Sequence, residues 1–118
     1  MKRNITSVMK KHVSDLFQIL AQYSATDRKS FVAVAEADLV FQKAVLMSVG
    51  YIGELSKKMD DSFIQVHPEI NWRRLGTSRN IIFHEYDIVD MDIISTVVFK
   101  DIFALQNALE SIEDELIE

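Results

Sequence analysis

The residues best suited to chemistry lie in one stretch, Arg79–Tyr86, in the second half of the 118-residue chain. Arg79 carries a planar guanidinium whose paired donors suit a phosphate group. His84 belongs to the one side-chain type whose ordinary pKa lies near physiological pH, so it can take up and release protons there. The stretch is therefore suited to a phosphate-containing ligand and to proton transfer, although by residue type alone Arg79 could equally be explained as the partner of a neighbouring acid.

The spacing of these two residues limits how they can cooperate. Arg79 and His84 are five positions apart, and five residues turn an α-helix by about 140°. Both side chains therefore cannot lie on one face of an unbroken helix. If they act together, the helix ends or bends near His84, or a second copy of the chain completes the site.

Long amphipathic helices must position this stretch. Apolar residues recur at three- and four-residue steps, which is typical of helices that bury one stripe. The pattern predicts a first helix from about Asn4 to Tyr23 and a central helix from about Phe31 to Met59. A polar break separates them, and Thr26, Asp27 and Ser30 are its candidate caps. Within the central helix, the stripe is flanked by Val40, Met47 and Tyr51, and the small residues Ala44, Ser48 and Gly50 suit a close approach by another helix.

The second half of the chain has clearer helix boundaries. Residues 60–71 form a connector with the only proline, after which Asn71 is expected to cap a segment anchored by Trp72. A short break at 76–78 is expected to cap the motif helix through Thr77 or Ser78. Asp90 and Asp92 mark the start of a last helix whose apolar positions are Ile94, Val97, Val98, Ile102, Leu105, Leu109, Ile112 and Leu116.

Composition limits the class of protein. With 48% hydrophobic and 26% charged residues, three glycines and one proline, the chain is typical of a helix-rich globular protein, and its length predicts one domain over 1–118. There are no cysteines, which excludes disulfides and thiolate metal sites. His67 has no second His or carboxylate at metal-ligand spacing, and the sequence contains neither H-E-x-x-H nor an EF-hand pattern, so we expect no metal. Without a signal-peptide pattern or a membrane-length apolar run, we expect a cytoplasmic protein.

Charge is unevenly distributed. The net charge of −5 argues against a protein that coats nucleic acid through a general basic surface, although it leaves room for a local site. The basic residues of the middle of the chain are Lys57, Lys58, Arg73, Arg74 and Arg79. By themselves these are explained as solvated helix faces.

The order Arg79, four residues, His84, one residue, Tyr86 resembles the signature of the HEPN superfamily, and more narrowly its HepT-like branch of small helical proteins. Asn80 matches the polar residue that often follows the arginine. The likeness covers most of residues 8–112. It also includes the continuation 84–90, Gly53-Glu54 after a long apolar helix, and Pro68–Trp72 shortly before the arginine.

The resemblance implies an all-α, antiparallel bundle of four to five helices that forms a homodimer, with motif helices of both protomers lining one cleft. It further implies the toxin of a toxin–antitoxin pair, a metal-independent endoribonuclease that uses no cofactor. In that reaction a 2′-hydroxyl of RNA attacks the adjacent phosphate.

The resemblance also implies residue roles. Arg79 and His84 would be catalytic, while Asn80, Tyr86 and Arg74 would bind substrate or support the site. Tyr86 resembles the tyrosine that receives adenylyl groups from a small nucleotidyltransferase antitoxin, which would neutralise the toxin.

Two other hypotheses remain open. The chain could be a noncatalytic helical module that binds a nucleotidyltransferase or its nucleotide. It could also be a purely structural dimer, in which Arg79 and His84 are paired and buried instead of facing a cleft. The role of Glu54, near the end of the central helix, is left undecided.

Overall fold

The computed structural model describes residues 4–112, apart from the side chain of Tyr86. This part of the chain is helical, and it contains no strand. The elements are α1 (Ile5–Gln22), α2 (Arg28–Ala37), α3 (Leu39–Ser56), α4 (Asp61–Val66), α5 (Trp72–His84), a 3₁₀ turn (Tyr86–Ile88), α6 (Met91–Thr96), a π-helical segment (Val97–Ile102) and α7 (Phe103–Glu110).

The central element of the bundle is α3, which packs against α1 on one side and α5 on the other. The segment from α6 to α7 closes the bundle against α1, α2 and α5. Apolar residues of every long helix form one continuous core. The predicted all-α fold is confirmed, with the short α4 added to five longer helical segments.

The first helix begins where the sequence predicts, because the Asn4 side chain accepts hydrogen bonds from the backbone N–H groups of Thr6 and Ser7. The cap of α2 is Asp27, whose carboxylate accepts from the backbone N–H of Ser30. Hydrogen bonds from the backbone N–H and the hydroxyl of Ser30 hold the pKa of Asp27 below its ordinary value.

The prediction of one helix over 31–59 is wrong at Asp38. This residue is extended, with φ −130° and ψ 109°, and its side chain accepts from the backbone N–H of Phe41, so it caps a new helix. The outer side of α3 also differs from the predicted apolar arc. Val40 and Met47 are 71% and 62% exposed.

The connector holds a short helix, α4, that the sequence pattern did not predict. Trp72 anchors the connector as expected, because its indole N–H donates to the backbone oxygen of His67 and its ring packs edge-on to Phe63. Asn71 caps α5 by accepting from the backbone N–H of Arg74.

The break predicted at 76–78 is also wrong, since α5 is continuous from Trp72 to His84. Gly76 is a helical residue here, and Ser78 is buried against the bundle. The cost of a glycine inside a helix, about 1 kcal/mol relative to alanine, is offset by packing on α3.

The last helix begins after Asp90, which caps it by accepting from the backbone N–H of Asp92. Its predicted apolar positions are buried from Ile94 to Leu109, Ile112 is partly buried, and Leu116 lies outside the described residues. Among the helices of 4–112, none combines the length and apolar character needed to cross a membrane.

Candidate functional site

The motif helix α5 has a buried face and an exposed face. Leu75, Ser78 and Ile82 point into the bundle. The opposite face is exposed and consists of Arg73, Thr77, Asn80 and His84. These four residues follow the helical repeat, so they form one row about 16 Å long at 1.5 Å per residue.

Two glycines of α3 allow α5 to approach closely. A Cβ atom at Gly53 would lie 2.6 Å from the backbone oxygen of Leu75 and 2.8 Å from the Cβ of Arg79. A Cβ at Gly50 would lie 2.8 Å from the ring of Phe83. These contacts run in opposite directions along the two helices, which are therefore antiparallel. The predicted close approach at Gly50 is confirmed, and Gly53 proves to be the tighter point.

Arg79 is held at the edge of this helix pair. Its Nε lies 2.7 Å from Oε1 of Glu54, with the two side chains 27% and 32% exposed. The Nε–H does not make a well-aligned hydrogen bond, so the contact is mainly one between charges. Nη1 donates to Oδ1 of Asn80 at 3.1 Å, and the guanidinium carbon lies 5.3 Å from the centre of the Phe83 ring. Three neighbours thus fix the guanidinium at a partly open position.

His84 is exposed and is the last residue of α5. It borders an open groove of about 390 Å³ that is lined by Phe83, His84, Glu85, Asp87 and Ile88. The helix does end at His84, which was one of the two arrangements that would let Arg79 and His84 cooperate. Arg79 and His84 nevertheless leave α5 in directions about 140° apart, and Arg79 is not among the groove's lining residues.

Arg74, expected to bind substrate or support the site, makes a two-pronged ion pair with Asp101. Its Nε lies 2.5 Å from Oδ2 and its Nη2 lies 2.8 Å from Oδ1 of that carboxylate, which is only 1% exposed. These hydrogen bonds raise the pKa of Arg74 above its ordinary value. The pair ties α5 to the π-helical segment, so Arg74 supports the position of the motif helix.

The other candidate residues have local partners. The ring of His12 packs edge-on to Tyr51, and Nδ1 of His67 lies 2.9 Å from Oε2 of Glu69. That contact lowers the pKa of the Glu69 carboxyl. The residues in 4–112 include no group of three or more His, Cys, Asp or Glu side chains arranged to hold a metal ion. The side chain of Tyr86 lies outside the described residues.

Two site features were not predicted from the sequence. Glu54 was noted, but its pairing with Arg79 joins residues 25 positions apart, which no local pattern specifies. Asp101 did leave a signal, because it is an acid within the buried repeat of Val97, Val98, Ile102 and Leu105. A carboxylate on a buried stripe needs a cationic partner, and the nearby helix α5 supplies it.

Comparisons with known proteins agree on one family. A family model described as "Ribonuclease HepT-like" matches residues 9–112. A protein named "Probable ribonuclease HepT" from Thermococcus cleftensis is 35% identical over 71 residues, which is 60% of this chain and 64% of that protein. A candidate RNase of Methanocaldococcus jannaschii is 31% identical over 78 residues, 63% of this chain and 64% of that protein.

The matched part spans less than two thirds of the length of these two relatives. A candidate RNase of Caldanaerobacter subterraneus is 29% identical over 75 residues, covering 64% of this chain and 67% of the relative. No solved structure matches significantly.

Proposed function

Because the chain belongs to the HepT-like ribonuclease family, we propose that it is an endoribonuclease that cleaves RNA without a metal ion. The observation that carries this proposal is that α5 leaves Arg79 partly exposed and His84 exposed. Arg79 is fixed from one side by Glu54 and remains 27% exposed, and His84 is exposed at the end of the same helix. A cation for phosphate and a group for proton transfer are thus both accessible.

The proposed reaction needs only these two kinds of group. His84 of one protomer removes the proton from a 2′-hydroxyl, whose oxygen attacks the adjacent phosphorus. The bond from phosphorus to the 5′-oxygen breaks, and that oxygen takes up the proton from the same His84, which the first step left protonated. The products are a 2′,3′-cyclic phosphate and a 5′-hydroxyl.

Arg79 stabilises the five-coordinate transition state in this scheme. Its Nε edge is occupied by Glu54, so the phosphate would be bound through the Nη edge. Asn80, which accepts from Nη1, would orient the guanidinium and contact the phosphate through its amide N–H groups. Negative charge that develops in the transition state is then met by donors already in position.

A homodimer would allow Arg79 and His84 to act in one site although they leave α5 in different directions. Because Arg79 and His84 of one chain diverge by about 140°, a second copy related by two-fold symmetry would bring one residue of each chain to a shared cleft. The apolar surface around the motif supports this assembly. Phe83 and Ile88 are 40% and 71% exposed beside His84, and Met47, one turn before Gly50, is 62% exposed.

We further propose that the protein is the toxin of a toxin–antitoxin pair and acts in the cytoplasm. A partner nucleotidyltransferase would neutralise it by transferring adenylate to Tyr86. Tyr86 begins the 3₁₀ turn that follows His84, so the added phosphate charge and bulk would lie beside the cleft and exclude RNA.

The experiment is cleavage of labelled RNA by purified protein in excess EDTA. The wild-type chain should produce fragments that end in a cyclic phosphate, and His84→Ala should lose this activity by a factor of 10²–10⁴, the usual contribution of a general acid or base. His12→Ala is a matched control, since His12 lies on α1 and its ring packs against Tyr51 of α3. Cleavage that survives in His84→Ala would refute the mechanism.

The alternative is a noncatalytic module that binds a nucleotide or a nucleotidyltransferase. The ion pair between Arg79 and Glu54 favours it, because an arginine paired with an acid can simply join α3 to α5. This alternative predicts binding of the nucleotidyltransferase with no RNA cleavage by the wild-type chain.

A further inference from the structure

Three cations lie beside the exposed face of α5, on the side of Arg79 away from His84. Arg73 begins the exposed row of α5. Lys57 lies over Gly76, where a Cβ atom would meet its Cε at 3.5 Å. Lys100 and Arg73 both border a groove of about 450 Å³ at the start of α5. We call Lys57, Arg73 and Lys100 the basic track.

The acids that line the groove beside Arg73 and Lys100 pair with residues outside the basic track. These acids are Glu69 and Asp101, which are bonded to His67 and Arg74 respectively. Within 4–112, none of the three track cations forms an ion pair, and all three are exposed. In a chain of net charge −5, such a group of free cations beside one helix is a local positive surface.

The other end of α5 is followed by negative charge. Beyond His84 the chain continues with the exposed acids Glu85, Asp87 and Asp90. The potential along α5 therefore falls from positive at Arg73 to negative past His84. An anionic strand that reaches the motif would be attracted along the first half of α5 and repelled beyond its end.

From this distribution we propose that single-stranded RNA binds along the basic track, so that phosphates next to the scissile one contact Lys57, Arg73 and Lys100. This assignment rests on the proposed ribonuclease function and extends it to the substrate. Arg73 lies on the same exposed row as Asn80 and His84, with Lys57 and Lys100 beside it, and the row from Arg73 to His84 is about 16 Å long, enough for a short run of nucleotides. The contacts are to phosphates, so they give affinity and direction without base specificity.

The test separates binding from cleavage by using His84→Ala as the parent protein. Its affinity for a fluorescent single-stranded RNA is measured by anisotropy over a range of salt concentrations. The track variant adds Lys57→Gln and Arg73→Gln. The control adds Lys11→Gln and Lys29→Gln, which remove the same charge from exposed positions on α1 and α2.

The track variant should bind at least tenfold more weakly, and the slope of log affinity against log salt should become shallower by about 0.7 for each cation lost. Adding Lys100→Gln to the track variant should weaken binding further and make the slope shallower still. The control should keep the parent's slope. The proposal would be overturned if the track variant and its parent had equal slopes. It would also be overturned if the track variant and the control lost the same amount of affinity for RNA. Failure of the parent to bind RNA would overturn it too.

The same set of proteins distinguishes this proposal from the proposed catalysis. With His84 restored, a chain that binds RNA through the track but cuts none would refute the ribonuclease function and leave the track in place. A chain whose track cations affect only the binding of a partner protein would refute the track.

Discussion

At the scale of single residues, Arg79 has two competing anions. Glu54 holds its Nε edge, and the proposed phosphate would use the Nη edge. The pair is about 30% exposed on both sides, so its contribution to stability is at most about 1 kcal/mol. Its importance lies instead in fixing the direction of the guanidinium.

We therefore predict that Glu54→Gln lowers kcat about tenfold, because small misplacements of a catalytic group are costly, while KM falls or stays the same, because a negative charge next to the phosphate is removed. Steady-state kinetics with an RNA oligonucleotide measures both quantities. Urea denaturation is the control and should show little change in the free energy of unfolding. An unchanged kcat would mean that Glu54 does not position Arg79.

Tyr86 separates catalysis from regulation in the proposed scheme. Tyr86→Phe should leave RNA cleavage largely intact, because its hydroxyl takes no part in the proton transfers. It should no longer accept labelled adenylate from ATP in the presence of the partner nucleotidyltransferase, and it should stay active there. A Tyr86→Phe protein that its partner still silences would contradict this prediction.

The sequence singles out candidate residues by type and spacing, but it does not identify their partners. Arg79, Asn80 and His84 stand out by type and spacing, and α5 does leave Asn80 and His84 exposed. Arg74, in contrast, resembles Arg79 in the sequence, yet it is bound to Asp101, 27 residues away. Pairs at such separations depend on how helices pack, which local periodicity does not encode.

At the scale of elements, the same limit explains the two errors in helix boundaries. Apolar periodicity runs through Asp38 and hides a capping residue, so one helix was predicted where there are two. Gly76 and Ser78 look like a break, but packing of α5 on α3 overrides that local signal. Where caps and periodicity agree, as at Asn4, Asn71 and Asp90, the predicted starts are confirmed.

The contact between α3 and α5 provides a matched pair of glycine substitutions. Gly53→Ala should lower the free energy of unfolding by about 1–3 kcal/mol, because its Cβ would overlap the Leu75 backbone oxygen and push α5 away. Gly76→Ala adds a Cβ with only an ordinary contact to Lys57, so it should leave stability unchanged or raise it by up to about 1 kcal/mol.

Urea denaturation of both variants measures this difference, and RNA cleavage extends it to the site. Because the added Cβ would also overlap the Cβ of Arg79, Gly53→Ala should lower kcat even under conditions where the variant remains folded. Equal stabilities for the two variants would show that the close approach at Gly53 is not needed.

At the scale of the whole molecule, the proposed function requires an acidic chain to attract an acidic substrate. The net charge of −5 disfavours general binding of nucleic acid, yet the free cations of the basic track provide a local exception. If RNA is the substrate, as proposed, such an arrangement would limit it to one approach. The proposed homodimer would then lead that approach to a cleft shared by two copies of the chain, where Arg79 and His84 can meet despite their divergence.

The shared cleft can be tested by mixing two inactive proteins, Arg79→Ala and His84→Ala. If each site uses Arg79 of one protomer and His84 of the other, a mixed dimer has one intact site and one site that lacks both residues. Random exchange of subunits makes half of the dimers mixed, so activity should return to about a quarter of the wild-type level. The measurement is RNA cleavage after the two proteins are mixed under conditions that allow exchange. As a control, the double variant Arg79→Ala/His84→Ala is mixed with either single variant. These mixtures should stay inactive, because no site in them has both residues. A mixture of the single variants that exchanges subunits but remains inactive would show that the two residues do not act across the dimer.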